Sequence, residues 1–433
     1  MKKLIYKFRA NCLMILATLF FLTSCNKDLE QLAAIPTPVY PTGKGVAATI
    51  AANPNDSLFN RLLVRSGMVS TLNDLTKSFT IFAVDNAGMK IFVNAATNGN
   101  IPLTAPDSVF SAFIAGTNTP AVLNLSAAAA GAIVQYNTIG QKFPAATFAT
   151  GVFPNYPITS LIILDPTQPF VRMPIFPAIG TPYSYVNTIP LVATDAPAAN
   201  GIIHHTYTIV SPLPASPLTT LKTLINADAN LTYFKAAIAR GDSGQVGIKG
   251  DGPYALKFDS LMNYPVTNMT VLAPNNNACK TVIFGFVYSA LVAQGVPPAT
   301  AAAQATAISS TPAGFNALPV DSVRGIVAYH IFASNNTGSY KPDIRAFSVN
   351  FSSAPGAFAK TLVNGSVAIH PGIMAQATFT GPVVSALKFT GYGSFPPVPG
   401  APPYSGTAAN ATSWDKMALN GVLHVIDRVL FPK

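Results

Sequence analysis

Charged residues are scarce in this 433-residue chain. Asp, Glu, Lys and Arg together make up 10% of it, whereas apolar residues make up 49%. Disordered chains show the opposite balance, so the composition excludes a largely disordered protein. The 26 basic residues are scattered singly. This pattern excludes the basic run or patch of a nucleic-acid-binding protein. The length predicts two or three domains.

Cysteine is also scarce, with three residues in total. Cys12 opens an apolar run that ends at Leu22, after the positive charges of Lys2, Lys3, Lys7 and Arg9. The run is shorter than the roughly 20 residues that cross a bilayer, so residues 1–24 are predicted to be a cleaved signal peptide. Cleavage leaves Cys25 and Cys279, too few for a disulfide framework. Cys279 is expected to be a small buried hydrophobe.

The signal ends in Leu22-Thr23-Ser24-Cys25, which resembles a bacterial lipobox. Residues 26–30 resemble the sorting signals of surface lipoproteins from Bacteroidetes-type bacteria. The resemblance implies that Cys25 carries lipid and anchors the chain in the outer membrane. The domains would then project outward from the cell surface. An ordinary signal peptide or a membrane helix is the alternative. Residues 25–45 contain closely spaced prolines and are predicted to form a tether.

Three short blocks recur in the same order, which indicates an internal duplication. The pairs are Phe79–Asn86 with Met269–Asn276, Ile133–Asn137 with Ile326–His330, and Asn200–His204 with Asn420–His424. The duplication predicts one domain over residues 46–214 and another over 215–433.

Local signals predict helices and strands within each copy, which is typical of the α+β class. The first block of each copy is a strand-like run that stops at Asp or Asn residues suited to capping a helix. Asp56-Ser57 is predicted to cap a helix that Gly67 ends. The two Asn-Gly pairs predict tight turns, since both residue types tolerate positive φ. Residues 422–430 predict a strand.

The ordered blocks resemble the fasciclin family. The residues that match its motifs are Thr270, Pro274, Asn276, Tyr329, His330, Asn420, Gly421, His424 and Asp427. The first copy is eroded, with Val84, Asn137 and Tyr207 in place of a proline, a histidine and an aspartate. The resemblance implies two tandem fasciclin-like domains, each a small β-sheet packed with helices and carrying long proline-rich insertions. It also implies a non-enzymatic protein of adhesion or extracellular binding, without a cofactor.

No catalytic or metal motif accompanies these blocks. His204 and His205 are adjacent, so on a strand they would point to opposite faces and could not hold one ion. His330 and His424 are expected to be buried and hydrogen-bonded. A hydrolase using a cleft between the domains is disfavoured, because the acidic residues are few and dispersed.

Aromatic residues in the second insertion are the candidates for ligand contact. Tyr392, Phe395, Tyr404 and Trp414 could present flat apolar faces to an extracellular protein or a polysaccharide. Alternatively, they pack the proline-rich loop onto the domain. If they bind sugar, the chain would be a glycan-binding accessory protein of a polysaccharide-uptake system. If the domains face the periplasm, an envelope-internal scaffold is the remaining alternative.

Four Asp-Ser-apolar triplets resemble bacterial O-glycosylation acceptors. They begin at Asp56, Asp107, Asp259 and Asp321. The competing interpretation, which we favour from the sequence, is that they cap helices.

Overall fold

We analysed a computed structural model of the chain. It describes residues 39–150, 157–165, 167–180, 183–213, 219–245, 257–265, 267–336, 339–341, 343–354, 356–365, 372–393 and 402–432. The predicted signal peptide, the lipidation residue Cys25 and most of the tether lie outside these ranges, as do Phe395 and the predicted domain boundary at 214/215. None of the helices in the described ranges is long and apolar enough to cross a membrane.

In each half, most of the helices come before most of the strands. The helices are α1 Val46–Ala51, α2 Ser57–Ser66, α3 Val69–Leu72, α4 Asn86–Ala96, α5 Asp107–Ala115, α6 Ala127–Tyr136, α7 Leu221–Ala227, α8 Thr232–Gly241, α9 Phe258–Asn263, α10 Asn276–Ala293, α11 Pro298–Ser309 and α12 Val320–Tyr329. The strands are β1 Phe79–Ala83, β2 Thr138–Ile139, β3 Ala149–Thr150, β4 Ile158–Ile163, β5 Arg172–Ile175, β6 Pro177–Ile179, β7 Tyr185–Val186, β8 Ile189–Ala198, β9 Gly201–Thr206, β10 Met269–Pro274, β11 Ser334–Asn336, β12 Ser339–Lys341, β13 Ala357–Ala359, β14 Ile373–Thr380, β15 Val383–Thr390, β16 Ala409–Ala418 and β17 Gly421–Ile426.

Two large sheets divide the chain into a first half, residues 42–213, and a second half, residues 219–432. The first sheet has the strand order β3-β6-β7-β8-β9-β1-β2-β4-β5, and the second has the order β10-β17-β16-β15-β14-β13. A separate hairpin joins β11 to β12. The predicted α+β class is therefore confirmed.

The centre of both sheets has the same construction. β1 pairs in parallel with β9, with Phe79 opposite Gly201. β10 pairs in parallel with β17, with Met269 opposite Gly421. An antiparallel strand with two register shifts, β8 or β16, then covers the other edge of β9 or β17. The register thus aligns the repeated sequence blocks residue by residue.

The asparagine of each Asn-Gly pair fastens the start of its half to the last strand. Asn200 accepts a hydrogen bond from the Val46 backbone N–H at 2.9 Å. Its amide donates to two carbonyl groups at the end of α3. Asn420 does the same, accepting from the Leu221 N–H at 2.9 Å and donating to two carbonyl groups at the end of α9.

The glycine of each pair is required by a close approach between backbones. A Cβ atom on Gly421 would lie 2.4 Å from the Met269 carbonyl oxygen, and one on Gly201 would lie 2.4 Å from that of Phe79. The predicted tight turns are present, because two residues, the second of them Asn200 or Asn420, connect the paired strands, but none of the residues in the two Asn-Gly pairs has a positive φ. Each glycine is explained by the lack of room for a Cβ atom beside the neighbouring strand, and each asparagine by the hydrogen bonds of its side chain.

Helix starts follow the sequence only in part. Asp85 caps α4 by accepting from the Gly88 N–H, and Asn275 caps α10 by accepting from the Ala278 N–H, as predicted. Gly67 ends α2 with a φ of 72°. The Asp-Ser triplets do begin four helices, but no Asp or Ser side chain of theirs caps one. These aspartates occupy the first turn or its edge, where a negative charge favours the helix dipole without a capping bond.

The two halves touch through a small buried aromatic cluster. Phe176 of the first half packs edge-on against Phe347 of the second, with 5.7 Å between ring centroids. The Arg345 guanidinium lies 4.5 Å from the centre of the Phe176 ring, and Val422 completes the cluster. The Tyr185 hydroxyl donates to the Pro382 carbonyl at 3.0 Å. Side chains from both halves therefore share one buried contact.

Candidate functional site

Two equivalent histidines form part of the frame. The His204 ring accepts a hydrogen bond from the Asp195 N–H at Nδ1 and donates from Nε2 to the Phe143 carbonyl, at 3.1 and 3.0 Å. His424 makes the same pair of bonds, to the Asp415 N–H and the Ala346 carbonyl. Burial lowers the pKa of both imidazoles. Both ring nitrogens are engaged in each case, which confirms the prediction of a buried, hydrogen-bonded His424 and shows the same arrangement at His204.

His330 is the third buried histidine and occurs in the second half only. Its Nδ1–H donates to the Ile326 carbonyl at 2.7 Å, and its Nε2 accepts from the Leu430 N–H at 3.0 Å. Burial lowers its pKa to about 4. Asn137 takes its place in the first half and donates to the carbonyl groups of Ile133 and Val210. The predicted exchange of histidine for asparagine therefore keeps a bridge between the helix and the segment that follows the last strand.

The structure brings two of the predicted ligand-contact residues together. The rings of Tyr392 and Tyr404 meet edge to face at 5.5 Å, and the Tyr404 N–H donates to the Tyr392 carbonyl. The Tyr404 hydroxyl donates to the Gly372 carbonyl at 3.4 Å, and the Tyr392 N–H donates to the Tyr329 hydroxyl. These contacts hold the end of the insertion against the domain.

Trp414 lies elsewhere. Ala409 of β16 pairs with Phe389 of β15, and Trp414 lies five residues further along β16, away from Tyr392. At 3.3 Å per residue, this places it roughly 15 Å beyond the pair. Its side chain is half-buried and packs against the core of the second half. Trp414 and the tyrosine pair therefore do not form one continuous patch.

A cleft opens beside the tyrosine pair. It encloses about 600 Å³, counted to its open mouth, between the start of α10 and the segment that follows β17. Gly391, Gly393 and Gly406 form part of its wall, so backbone rather than side chains faces the space. Asp427, which lines it, is held by the N–H and side-chain amide of Asn410. The exposed Arg428 is the cation at this cleft.

A second, more polar pocket lies where the bulged strand β16 passes the start of α10. It encloses about 850 Å³, counted to its mouth. The side chains that line it are mainly amides, hydroxyls and amines: Asp228, Asn230, Asn275, Asn276, Asn277, Lys280, Thr412, Ser413 and Lys416. We call it the polar pocket. Groups of this kind donate and accept hydrogen bonds without being strong nucleophiles or metal ligands.

One ion pair crosses the polar pocket. The Lys416 amine lies 2.8 Å from the Asp228 carboxylate. Burial alone would raise the pKa of Asp228, but the hydrogen bonds from Lys416 and the Asn230 N–H lower it overall. Asp228 therefore stays ionised. Lys280 lies on α10 at the pocket edge, with its amine 5.4 Å from the centre of the Tyr233 ring.

The corresponding place in the first half is built differently. His205 takes the position of Val425, and its ring lies 3.1 Å from the carboxylate of Asp56, whose side chain is 3% exposed. Ala193 and Ala196 stand where the second half has Ser413 and Lys416. Lys90, the equivalent of Lys280, pairs with Asp107 at 2.6 Å. The first half thus lacks the hydroxyl and amine groups that β16 contributes.

Of the residues that line the polar pocket, the sequence singles out Asn276 as a family-motif residue and Asn275 as a helix cap, but neither of them as a ligand contact. The positions of Ser413 and Lys416 depend on the register shifts in β16, which no local pattern reveals. Within the described ranges, no group of three or more His, Cys, Asp or Glu residues could hold a metal ion.

Comparisons with known proteins place few limits on the chain. No protein-family model matches it, and no curated protein matches it. Among solved structures, it is similar to a FAS1 domain pair from the insect cell adhesion molecule fasciclin I. That similarity covers 89% of this chain and 95% of the other, at 10% identity and a TM-score of 0.29. Because both values are low, the functional inference rests on the residues of this chain.

Proposed function

We propose that the chain is an extracellular binding protein of the adhesion type, in which the second half binds ligand and the first half supports it. The observation that carries this proposal is the difference between equivalent places in the two halves. Ser413 and Lys416 line an open polar pocket in the second half, whereas alanines and the His205–Asp56 pair occupy that place in the first. Function belongs to the site that a fold carries and not to the fold itself, so the half with the open polar pocket is the candidate for ligand binding.

A non-catalytic mechanism is part of the proposal. His204, His330 and His424 each use both ring nitrogens within the frame. A general base needs a nitrogen within reach of a substrate proton. Recognition by surface complementarity fits the polar pocket better, because its amides and hydroxyls can exchange hydrogen bonds with a ligand.

A polysaccharide-capture role is the second candidate, and the chemistry of the polar pocket favours it. Sugar hydroxyl groups both donate and accept, as do the asparagine and serine side chains that line this space. Trp414 is adjacent in sequence to Ser413, but its half-buried ring contributes to the core.

The test compares matched lysines in binding to a glycan array and to immobilised extracellular proteins. Lys280→Ala alters the polar pocket, while Lys90→Ala changes the equivalent residue of the first half. We expect the first substitution to weaken binding about tenfold, the order of one lost charged hydrogen bond, and the second to leave it unchanged. Equal effects of the two substitutions, or none from either, would refute the assignment of the second half. Glycan binding would select the capture role, and protein binding the adhesin.

The surface location is also a proposal, which rests on the lipobox-like sequence before Cys25. Protease shaving of intact cells tests it, with Cys25→Ala as the comparison. We expect the wild-type protein to be shaved and the variant to lose its membrane attachment. Protection of the wild type would instead place the domains in the periplasm and favour the envelope-internal scaffold.

A further inference from the structure

A third pocket lies among the helices of the second half, away from the polar pocket. Helices α7, α8 and α9 enclose a cavity of about 330 Å³. Its floor is apolar, formed by the buried side chains of Ile225, Ile238 and Met262. A concave site of this size, with an apolar floor and a few charged groups, is the usual form of a small-molecule site. We call it the helical pocket.

Among the described residues, the rim of the helical pocket carries three lysines but only two carboxylates, and both carboxylates are engaged by other groups. Lys222, Lys235 and Lys257 all line it. The Lys222 amine pairs with the Asp259 carboxylate at 2.7 Å. Within the described part of the chain, no carboxylate lies within 4.0 Å of the amines of Lys235 or Lys257. Two cations therefore face an apolar space without a matching anion among those residues.

The other acid of this pocket is already engaged. The Asp242 carboxylate accepts hydrogen bonds from the Phe258 and Asp259 N–H groups, both at 2.8 Å. It also lies 3.6 Å from the Arg324 guanidinium. Asp242 thus fixes the first turn of α9 and does not neutralise the rim lysines.

The first half shows what this region is without the lysines. The shared hydrogen bonds of Asn200 and Asn420 align Val46 with Leu221, and those of Asn86 and Asn276 align Leu58 with Tyr233. Counting along each helix from these aligned residues, Ala47 is the first-half equivalent of Lys222, Asn60 that of Lys235, and Val64 that of Ala239. The helix frame does not need these charges, since the first half forms the same frame without them.

We propose that the helical pocket binds a single-chain amphiphile with an anionic head group. The alkyl chain lies on the floor of Ile225, Ile238 and Met262, and Lys235 and Lys257 bind the head group. Charge-assisted hydrogen bonds from lysine suit a carboxylate or a phosphate equally. Each methylene group that reaches the floor raises affinity about fourfold. This site is independent of the polar pocket, and its failure would leave the proposed function untouched.

Titration calorimetry on the purified protein tests the proposal with decanoate, octanoate, decyl phosphate and uncharged decanol. We expect decanoate to bind at least about tenfold more tightly than decanol, and octanoate to bind more weakly than decanoate by about fourfold per methylene lost. A preference between decanoate and decyl phosphate identifies the head group. Equal binding of decanoate and decanol, or no dependence on chain length, would overturn the proposal.

Three variants assign the binding to this pocket. Lys235→Asn introduces the residue of the first half and, combined with Lys257→Gln, should weaken decanoate binding about a hundredfold if each lysine contributes about tenfold. Lys280→Gln removes a lysine of the polar pocket and should leave decanoate binding unchanged. Ala239→Trp fills the mouth from an exposed position and should abolish binding of every ligand. Unchanged decanoate binding in folded Lys235→Asn/Lys257→Gln protein, checked by circular dichroism, would refute the site.

Discussion

The strongest quantitative prediction concerns His330, whose buried ring must stay neutral. Its Nε2 accepts from the Leu430 N–H, so a proton on that nitrogen would face another N–H. The pKa is lowered from 6.5 to about 4 by burial. Between pH 6.5 and 4, the His330 side chain is protonated in the unfolded chain and remains neutral in the folded chain. Stability should therefore fall as the pH drops from 6.5 to 4, and this contribution levels off below 4.

The size of the effect follows from the pKa difference. One pKa unit corresponds to about 1.4 kcal/mol, so full development of the shift costs about 3 kcal/mol at pH 4 relative to neutral pH. His204 and His424 also have lowered pKa values and add to the same trend. A single variant is needed to isolate the share of His330.

His330→Asn supplies that comparison, because the first half has Asn137 at the equivalent position. Urea unfolding at pH values from 7.5 to 4 should give a lower free energy of unfolding for the variant at pH 7.5. Its dependence on pH should be weaker by up to about 1.4 kcal/mol per pH unit between 6.5 and 4. Parallel pH profiles for the two proteins would refute the assignment of a neutral, buried His330.

Two further substitutions test the duplicated frame by urea unfolding. Asn420→Ala leaves the buried Leu221 N–H and Met262 carbonyl without their partner, at about 1–3 kcal/mol each, and also frees the partly buried Tyr264 carbonyl, so the second half should lose at least about 2 kcal/mol; an unchanged unfolding midpoint would contradict this. Gly421→Ala places a Cβ atom 2.4 Å from a carbonyl oxygen and should cost about 1–3 kcal/mol. Gly325→Ala is the matched control, because nothing lies within 4 Å of its new Cβ atom. It should stabilise α12 by up to about 1 kcal/mol, and destabilisation by both glycine variants would count against the steric explanation.

The repeated blocks predicted the central frame because each of them performs a local task with a characteristic residue. Asp85 and Asn275 cap helices, and Gly421 permits a close backbone approach. Asn420 lies in the predicted turn, but its side chain has a second role that the sequence does not indicate. Its amide joins the entry of the half to the last strand, a contact 199 residues apart in sequence that no window can detect.

The pockets were less predictable than the frame. Aromatic residues were selected because their type suggests contact with a ligand, yet Tyr404 and Trp414 pack mainly against the domain. The polar pocket depends on bulges in β16, and the helical pocket on which lysines of α7 and α8 face the same space. Both features arise from the relative placement of distant elements, which composition and spacing do not specify.

The asparagine bridges have a mechanical consequence for each half of the chain. In each half the chain enters beside the first residue of the last strand, through the Val46–Asn200 or Leu221–Asn420 contact, and leaves after that strand ends. Tension between the two ends therefore runs along β9 or β17. Those strands have hydrogen-bonded neighbours on both sides, so pulling loads several backbone bonds together in shear instead of opening them one at a time. Each half should therefore resist extension when its two ends are pulled apart.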